Sequence, residues 1–170
     1  DFINFSNLFS GRLIYASSGS VYSREVAEKS KEDSLTTVPK NIYDYTKIAF
    51  DNYIGASKKQ AIGLRFGTVN GFSHRIRNEL MINSMVNSCK EKSYLEVSNP
   101  DTWRPILFID DLVNGLVKVL ESDVHEGIYN MCSFNLRIGQ ISEKISEVLG
   151  AKVIEGKPST TYNFMMDNNL

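Results

Sequence analysis

Short apolar runs alternate along the chain with longer stretches of helical periodicity, and this alternation limits the choice of fold more than any other feature of the sequence. The runs are closed by small or polar residues, which is typical of strands buried on both faces of a parallel sheet. The stretches between them place apolar residues three and four positions apart, as helices with one buried face do. The predicted strands are 12–16, 61–66, 94–97, 105–109 and 127–131, and the predicted helices are 42–58, 78–90, 112–120 and 138–148.

Strands that alternate with helices of this length form βαβ units. The predicted fold class is therefore α/β, with a doubly wound and mostly parallel sheet. Too few strands precede residue 12 to complete such a sheet, and the chain does not begin with methionine, so we expect the sequence to lack the N-terminal part of the domain. Asp110 and Asp111 stand where an N-cap belongs, before a helix whose apolar residues from Leu112 to Leu120 are expected to share one face.

The charge balance and the cysteines narrow the function classes. The 19 basic and 20 acidic residues nearly cancel, which argues against a nucleic-acid-coating protein and against a polybasic membrane binder. No apolar run approaches the roughly 18–20 residues that a membrane helix needs. Cys89 and Cys132 are either a disulfide pair or two thiols in a reducing compartment, and His74 and His125 stand alone. We expect a cytoplasmic protein with no metal, no nucleic-acid partner and no membrane segment.

The sharpest local signal is Tyr43-x-x-x-Lys47 at the start of a predicted helix. Residues four apart share a helix face, so the phenol and the ammonium project into the same space. Tyrosine has an unperturbed pKa near ~10, too high for a base at neutral pH. A fixed cation favours the phenolate and turns a tyrosine into a proton acceptor. The motif is weak alone, because the same spacing arises by chance on many helices.

A second signal is the run of small hydroxylated residues 17–20, which follows the first predicted strand. Strands of an open α/β sheet present such residues at their carboxyl edge, where ligands bind. The alternative is an ordinary loop rich in serine and glycine. The serine-rich run comes before the Tyr-x-x-x-Lys motif, which is the order expected of a catalytic site. Together the two motifs indicate such a site more specifically than either one alone.

Five ordered motifs resemble the extended short-chain dehydrogenases of the NAD-dependent epimerase/dehydratase type, which act on nucleotide-linked sugars. The resemblance covers nearly the whole chain and implies a Rossmann-like sheet, of which only the C-terminal part is present, with a small α/β substrate-binding lobe. It places half of the NAD-binding domain in 1–72 and the lobe in 73–170, interleaved with the last Rossmann strand at about 104–122. The motifs are 17–22 (Ser-Ser-x-x-Val-Tyr), 43–47 (Tyr-x-x-x-Lys), 64–71 (Leu-Arg-Phe-x-x-Val-x-Gly), 104–111 (Arg-Pro-x-x-Phe-Ile-Asp-Asp) and 127–130 (Gly-x-Tyr-Asn).

The resemblance implies a role for each matching residue. Tyr43 matches the base that removes a sugar hydroxyl proton, and Lys47 matches the residue that binds the nicotinamide ribose and favours the phenolate. Ser18 matches the hydroxyl that hydrogen-bonds the reacting sugar oxygen. Arg104 matches an arginine aimed at the substrate diphosphate, although it is otherwise read as a surface residue beside Trp103. The residues expected at the cofactor, NAD or NADP, are Ser17, Tyr43, Lys47 and Phe66, and those expected at the substrate are Ser18, Thr68 and Arg104.

Two departures from the family pattern matter. Sugar 4,6-dehydratases carry an acidic pair after the catalytic hydroxyl, whereas this chain has Gly19 and Ser20, so epimerisation or simple oxidoreduction is favoured over dehydration. The sequence also lacks the Gly-x-x-Gly-x-x-Gly turn that binds pyrophosphate, which we interpret as N-terminal truncation. The alternatives are a non-catalytic binding protein on the same scaffold and an inactive fragment. The resemblance further implies a homodimer formed through the helix that bears Tyr43 and Lys47.

Overall fold

The computed structural model describes residues 2–22, 28–57 and 59–168. Each strand and helix predicted from periodicity is present, with ends that shift by a few residues, and β3, β7 and β8 are additional strands. The helices are α1 (Phe2–Leu8), α2 (Ile42–Ser57), α3 (Met81–Lys92), α4 (Ile109–Glu121) and α5 (Ile138–Leu149). The strands are β1 (Leu13–Ser18), β2 (Ala61–Phe66), β3 (Thr68–Asn70), β4 (Tyr94–Val97), β5 (Trp103–Phe108), β6 (Gly127–Met131), β7 (Phe134–Arg137) and β8 (Lys152–Glu155).

The main sheet has the order β1-β2-β6, and both strand pairs are parallel. Alternate residues of β2 face opposite sides of the sheet. Ile62 and Leu64 pack under α4, while Ala61 packs on the other side with Ile54 of α2 and Tyr15 of β1. The sheet is therefore covered by helices on both faces, which explains why its strands are continuously apolar. The prediction of a parallel α/β sheet is confirmed.

The second half of the chain builds two smaller sheets around a core of its own. In one, β3 pairs in parallel with β5, and β5 pairs antiparallel with β7; in the other, β4 and β8 are parallel. Helices α3 and α5 close this core, whose buried members include Met85, Leu95, Ile106 and Ile141. Cys89 lies in the same core, and both Cys89 and Cys132 are free thiols, so the disulfide alternative is wrong.

One strand assignment from the sequence is wrong. The segment expected to supply the last strand of the main sheet, 104–122, contributes β5 to the second set of sheets, and β6 pairs with β2 instead. Strand β5 is buried on both faces, with Ile106 in the second core and Leu107 in the core of the main sheet. An apolar pattern of this kind does not reveal which sheet a strand joins. The helix that follows β5, α4, packs on the main sheet.

The start of α4 also differs from the expectation. Phe108 is the N-cap and makes no side-chain capping bond, while Asp110 and Asp111 lie in the first helical turn. Their charges still favour the helix, because the N-terminal end of a helix carries partial positive charge. The expected single apolar face is divided. Leu112 and Leu116 pack on the core together with Val119, whereas Val113, Val117 and Leu120 are exposed.

A pair of glycine substitutions tests the packing beside the end of β1. Gly19 begins a 3-10 turn, Gly19–Val21, and a Cβ there would overlap the sulfur of buried Met166 and lie 3.0 Å from Phe164. Gly19→Ala should lower the free energy of unfolding by about 1–3 kcal/mol through overpacking. Gly55 of α2 has open space at its Cβ position. Gly55→Ala should therefore stabilise by about 0.5–1 kcal/mol. Urea unfolding of both variants checks these opposite signs.

Candidate active site

A cavity of about 380 Å³ opens at the carboxyl ends of β1 and β2. This edge is where open α/β sheets bind their ligands. The cavity wall includes each of the seven residues that the sequence indicated, although they come from four separate segments. These residues are Ser17, Ser18, Tyr43, Lys47, Phe66, Thr68 and Arg104. Four further wall residues with polar or aromatic side chains were not predicted from the sequence, namely Ser20, Arg77, Tyr162 and Phe164.

The two serines at the end of β1 are buried and differ in their hydrogen bonding. Ser18 Oγ accepts a bond from the backbone N–H of Ser20 at 3.2 Å and lies 2.9 Å from Ser20 Oγ. Ser18 thereby caps the 3-10 turn and is held in one orientation. Ser17 Oγ is buried in the cavity wall and has no hydrogen-bond partner within the described parts of the chain. Burial of a hydroxyl without a hydrogen bond costs free energy, so a ligand that bonds to Ser17 Oγ would be favoured at this position.

Tyr43 and Lys47 occupy the first two turns of α2. Asn41 accepts a bond from the backbone N–H of Asp44 at 2.9 Å, which satisfies one free donor at the start of this helix. Lys47 Nζ donates to the carbonyl oxygen of Ala16 at 2.7 Å and lies 5.6 Å from the centre of the Tyr43 ring. The ammonium is thus fixed at the end of β1, beside a phenol that is 53% exposed and free to meet a ligand.

Arg104 forms the opposite side of the cavity. Its Nη2 donates to Thr68 Oγ1 at 2.9 Å and its Nη1 to the carbonyl oxygen of Tyr162 at 3.3 Å. The guanidinium lies 5.8 Å from the ring of Tyr162 and 6.0 Å from that of Phe164. Burial lowers the pKa of Arg104, because a desolvated cation is less stable. Its Nε has no partner among the residues described, so an anion would supply both charge and an acceptor.

A buried polar network lies behind Lys47. Arg65 Nε donates to Asp51 Oδ2 at 2.9 Å, and the phenol of Tyr15 donates to Asp51 Oδ1 at 3.0 Å. Arg65 Nη1 also donates to the phenol oxygen of Tyr22 at 2.9 Å. Burial lowers the pKa of Arg65, but Tyr22 and Asp51 outweigh it and raise the pKa overall. The network ties β1, β2 and α2 together and so fixes the helix that carries Tyr43.

A second buried carboxylate, Asp44, follows Tyr43 in the chain and is fully inaccessible to solvent. It accepts a bond from Ser20 Oγ at 2.8 Å and from Asn41 Nδ2 at 2.9 Å. The phenol of Tyr162 donates to it at 3.1–3.2 Å. The sequence analysis did not single out Asp44. Its position next to Tyr43 was the one indication available from the sequence. Its partners Ser20 and Tyr162 lie in distant segments, so the sequence does not show the contacts.

The fold and the cavity together define a Rossmann-type protein with hydroxyl, phenol and ammonium groups at the carboxyl edge of its sheet. The chain belongs to the NAD dependent epimerase/dehydratase family, whose sequence model matches residues 4–132. It is 28% identical over 155 residues to an ADP-L-glycero-D-manno-heptose-6-epimerase of Brachyspira hyodysenteriae, covering 85% of this chain and 48% of the relative. It is 26% identical to a dTDP-4-dehydro-6-deoxyglucose reductase of Escherichia coli, covering 89% of this chain and 51% of that protein.

Solved structures agree with the fold. A dTDP-glucose 4,6-dehydratase of Bacillus anthracis in complex with NAD superposes with a TM-score of 0.83 at 17% identity, over 98% of this chain and 56% of that one. The ADP-L-glycero-D-manno-heptose-6-epimerase of Helicobacter pylori superposes with a TM-score of 0.75 at 21% identity, over 91% and 51% of the two chains. The chain thus spans about half the length of the relatives it matches.

The described residues contain neither a membrane-spanning helix nor a cluster of metal ligands. Within 2–22, 28–57 and 59–168, no helix combines the length and apolar character needed to cross a bilayer. Over the same ranges, no three His, Cys, Asp or Glu side chains gather in a way that could hold a metal ion.

Proposed function

We propose that these residues form the catalytic part of an NAD-dependent enzyme that oxidises one hydroxyl of a nucleotide-linked sugar to a ketone. In an epimerase the keto-sugar is then reduced on its other face, and in an oxidoreductase it is released. One observation carries the proposal: Ser18, Tyr43, Lys47 and Arg104 line a single cavity at the carboxyl edge of a parallel sheet. The family is NAD-dependent by description, and relatives named above act on nucleotide-linked sugars.

The cavity suits the nicotinamide end of the cofactor. Ser17 offers a buried hydroxyl that has no partner in the described ranges, and Lys47 and Phe66 lie in the same wall. Ser17, Tyr43, Lys47 and Phe66 would hold the nicotinamide and its ribose, and the nicotinamide would supply the hydride acceptor. The cofactor is NAD or NADP: solved neighbours include a Bacillus anthracis protein in complex with NAD and a Pseudomonas aeruginosa protein complexed with NADPH. The sequence has no Gly-x-x-Gly-x-x-Gly turn.

The proposed chemistry assigns the proton to Tyr43. A phenolate held near an ammonium is a competent base, because the cation stabilises the charged form. Lys47 is anchored to the carbonyl of Ala16 and faces the Tyr43 ring, so it supplies that charge without needing to move. Ser18 is fixed by its bonds to Ser20 and would hold the sugar oxygen next to the phenol. The result is an oriented hydroxyl with a base beside it.

Arg104 and Thr68 are proposed to bind the substrate diphosphate. Arg104→Ala should weaken binding of UDP by about 10–100-fold, because hydrogen bonds to charged groups contribute about 1.5–3 kcal/mol. Isothermal titration of the complete protein with UDP measures the change. Arg137→Ala is a matched control: this arginine is half-exposed and is not part of the cavity wall. Equal UDP affinity of Arg104→Ala and the parent protein would show that Arg104 does not bind the diphosphate.

A homodimer through α2 is the proposed assembly. Ile42 of this helix is 78% exposed, and Phe5 and Leu8 of α1 are also exposed. Apolar side chains on neighbouring helices are the kind of surface that a second copy covers. Light scattering of the complete protein should give twice the monomer mass, and Ile42→Glu should halve it.

The function is tested with the complete protein, NAD and a panel of sugar nucleotides comprising ADP-heptose, UDP-glucose and dTDP-linked hexoses. NMR of the mixture should show a new epimer or an oxidised sugar from at least one of them. UDP binding without turnover of any member would favour the alternative, a non-catalytic binding protein. The 170-residue chain assayed alone shows whether these residues need the remainder of the protein to bind cofactor.

A further inference from the structure

Three oxygen atoms form a chain from the cavity into the protein interior. Ser18 Oγ lies 2.9 Å from Ser20 Oγ, and Ser20 Oγ lies 2.8 Å from Asp44 Oδ1. All three residues are buried, with exposed fractions of 8% for each serine and 0% for Asp44. Ser18 and Ser20 form part of the cavity wall, whereas Asp44 does not. The two hydroxyls thus connect a ligand at Ser18 to the carboxylate, and the phenol of Tyr162, which also lines the cavity, donates to the same carboxylate.

The direction of the bonds in this chain follows from the number of protons. An ionised carboxylate only accepts, so Ser20 donates its single proton to Asp44. Ser20 Oγ then has only lone pairs left, and Ser18 must donate in the bond between the two serines. The Ser18 proton therefore points away from the cavity, and Ser18 Oγ faces a ligand as an acceptor. Each donor in the chain points toward Asp44.

We propose that Ser20 and Asp44 are positioning residues that orient Ser18 as a proton acceptor and complete a proton relay from the sugar hydroxyl to the Asp44 carboxylate. The inference rests on the proposed function, since it needs a sugar hydroxyl at Ser18. It deepens that function, because it gives the same proton a second route beside Tyr43. Through the relay, the Asp44 carboxylate acts at the edge of the site where sugar 4,6-dehydratases have an acidic pair and this sequence has Gly19 and Ser20.

The relay balances atom by atom. The sugar O–H bond breaks and a Ser18 O–H bond forms, the former Ser18 proton moves to Ser20, and the former Ser20 proton moves to Asp44 Oδ1. Asp44 changes from carboxylate to neutral acid, and no proton enters or leaves the protein. The electron pair leaves the carbon as hydride in the oxidation already proposed. Afterwards Ser18 donates to the new ketone oxygen, so one set of contacts suits the alcohol before the step and the ketone after it.

Asp44 has a structural role as well, which the test must separate from the relay. Its carboxylate also accepts bonds from Asn41 and from Tyr162, and Tyr162 in turn contacts Arg104 through its carbonyl oxygen. A change at Asp44 disturbs all of these contacts. A change at Ser20 interrupts the relay and leaves Asn41 and Tyr162 bonded to the carboxylate. Ser20 is thus the more informative position.

The kinetic test compares three variants of the complete protein, assayed with the member of the sugar-nucleotide panel that turns over. Each is made in the Tyr43→Phe background, where the relay is the remaining general-base route, and there Ser20→Ala should lower the residual kcat by at least about tenfold with little change in KM. Ser20→Thr, which keeps the hydroxyl, should recover most of that loss. Asp44→Asn should lower kcat as much as Ser20→Ala does. Rates in mixtures of H2O and D2O should depend on deuterium content in a curved way for Tyr43→Phe, and the curvature should disappear when Ser20→Ala is added.

The outcomes separate the relay from the proposed function. Equal kcat in Tyr43→Phe with and without Ser20→Ala would overturn the relay alone. Unchanged kcat in Tyr43→Phe would overturn the assignment of the base. Neutron diffraction from deuterated crystals of the complete protein tests the relay without any substrate. We expect deuterium on Ser18 directed to Ser20, deuterium on Ser20 directed to Asp44, and none on Asp44. Deuterium on Asp44, or on Ser20 directed to Ser18, would contradict the relay.

Discussion

Tyr43→Phe in the complete protein is expected to lower kcat by about 10²–10⁴-fold, which is what a positioned general base contributes. The substitution removes one oxygen from a side chain that is half-exposed and borders the cavity, so the fold should not change. Lys47 keeps its bond to the carbonyl of Ala16 in the variant, because that bond does not involve the phenol. KM for the sugar nucleotide should change little. Steady-state kinetics with the active sugar nucleotide measures both quantities.

Tyr45→Phe is the matched control. Tyr45 lies on the same helix two residues further along, is 60% exposed and is not part of the cavity wall. The variant should keep the parent kcat within about twofold, as surface substitutions away from a site do. If the two variants lose the same activity, the loss reflects damage to α2 and not the removal of a base. The residual rate of Tyr43→Phe also bears on the relay, because a second proton route would sustain it.

Asp51→Asn should lower the free energy of unfolding by about 3–5 kcal/mol, the largest stability effect we expect. The change leaves the Arg65 guanidinium buried without its counter-charge, since the side chains of the pair are only 5% and 4% exposed. Tyr15 and Tyr22 bond to the same two groups, so the damage extends to β1. Urea unfolding followed by circular dichroism measures the loss.

The control for this prediction is an exposed ion pair. Arg137 and Asp101 approach to 3.5 Å, and their side chains are 49% and 91% exposed. Asp101→Asn should cost no more than about 0.5 kcal/mol, because solvent screens the pair. A loss below about 1 kcal/mol for Asp51→Asn would mean that water reaches Arg65. That outcome would contradict the buried network.

The pH dependence of this network follows from the raised pKa values. Burial raises the pKa of Tyr15 and of Tyr22, and the pKa of Arg65 is raised by Tyr22 and Asp51. A group with a raised pKa in the folded state contributes stability that is present below its unfolded pKa and is lost as the pH rises. The contributions of the two tyrosines should therefore be constant at neutral pH and decline above the unfolded tyrosine pKa of about 10, whereas that of Arg65 persists through this range because arginine titrates at higher pH. Urea midpoints between pH 6 and 11 measure this decline.

The sequence was sufficient for the features that depend on local pattern. Periodicity identified α2 and β2 because a buried face repeats with the geometry of its own element. Tyr43 and Lys47 were found from spacing, since a helix places residues four apart on one face, and the resemblance then singled out Ser18 in the serine-rich run that follows the first strand. Arg104 and Thr68 needed the resemblance as well, and the cavity brings all of them together. Their chemical roles stay predictions until the variants are measured.

Only the tertiary structure decided which segments meet. Strand β5 is apolar on both faces, and nothing local to it shows that it pairs with β3 and β7 while β6 joins the main sheet. Asp44 takes a bond from Tyr162, which lies 118 residues further along the chain. The physical reason is that burial pattern is a property of one segment, whereas a buried polar group is satisfied by whichever distant donor the packing brings to it.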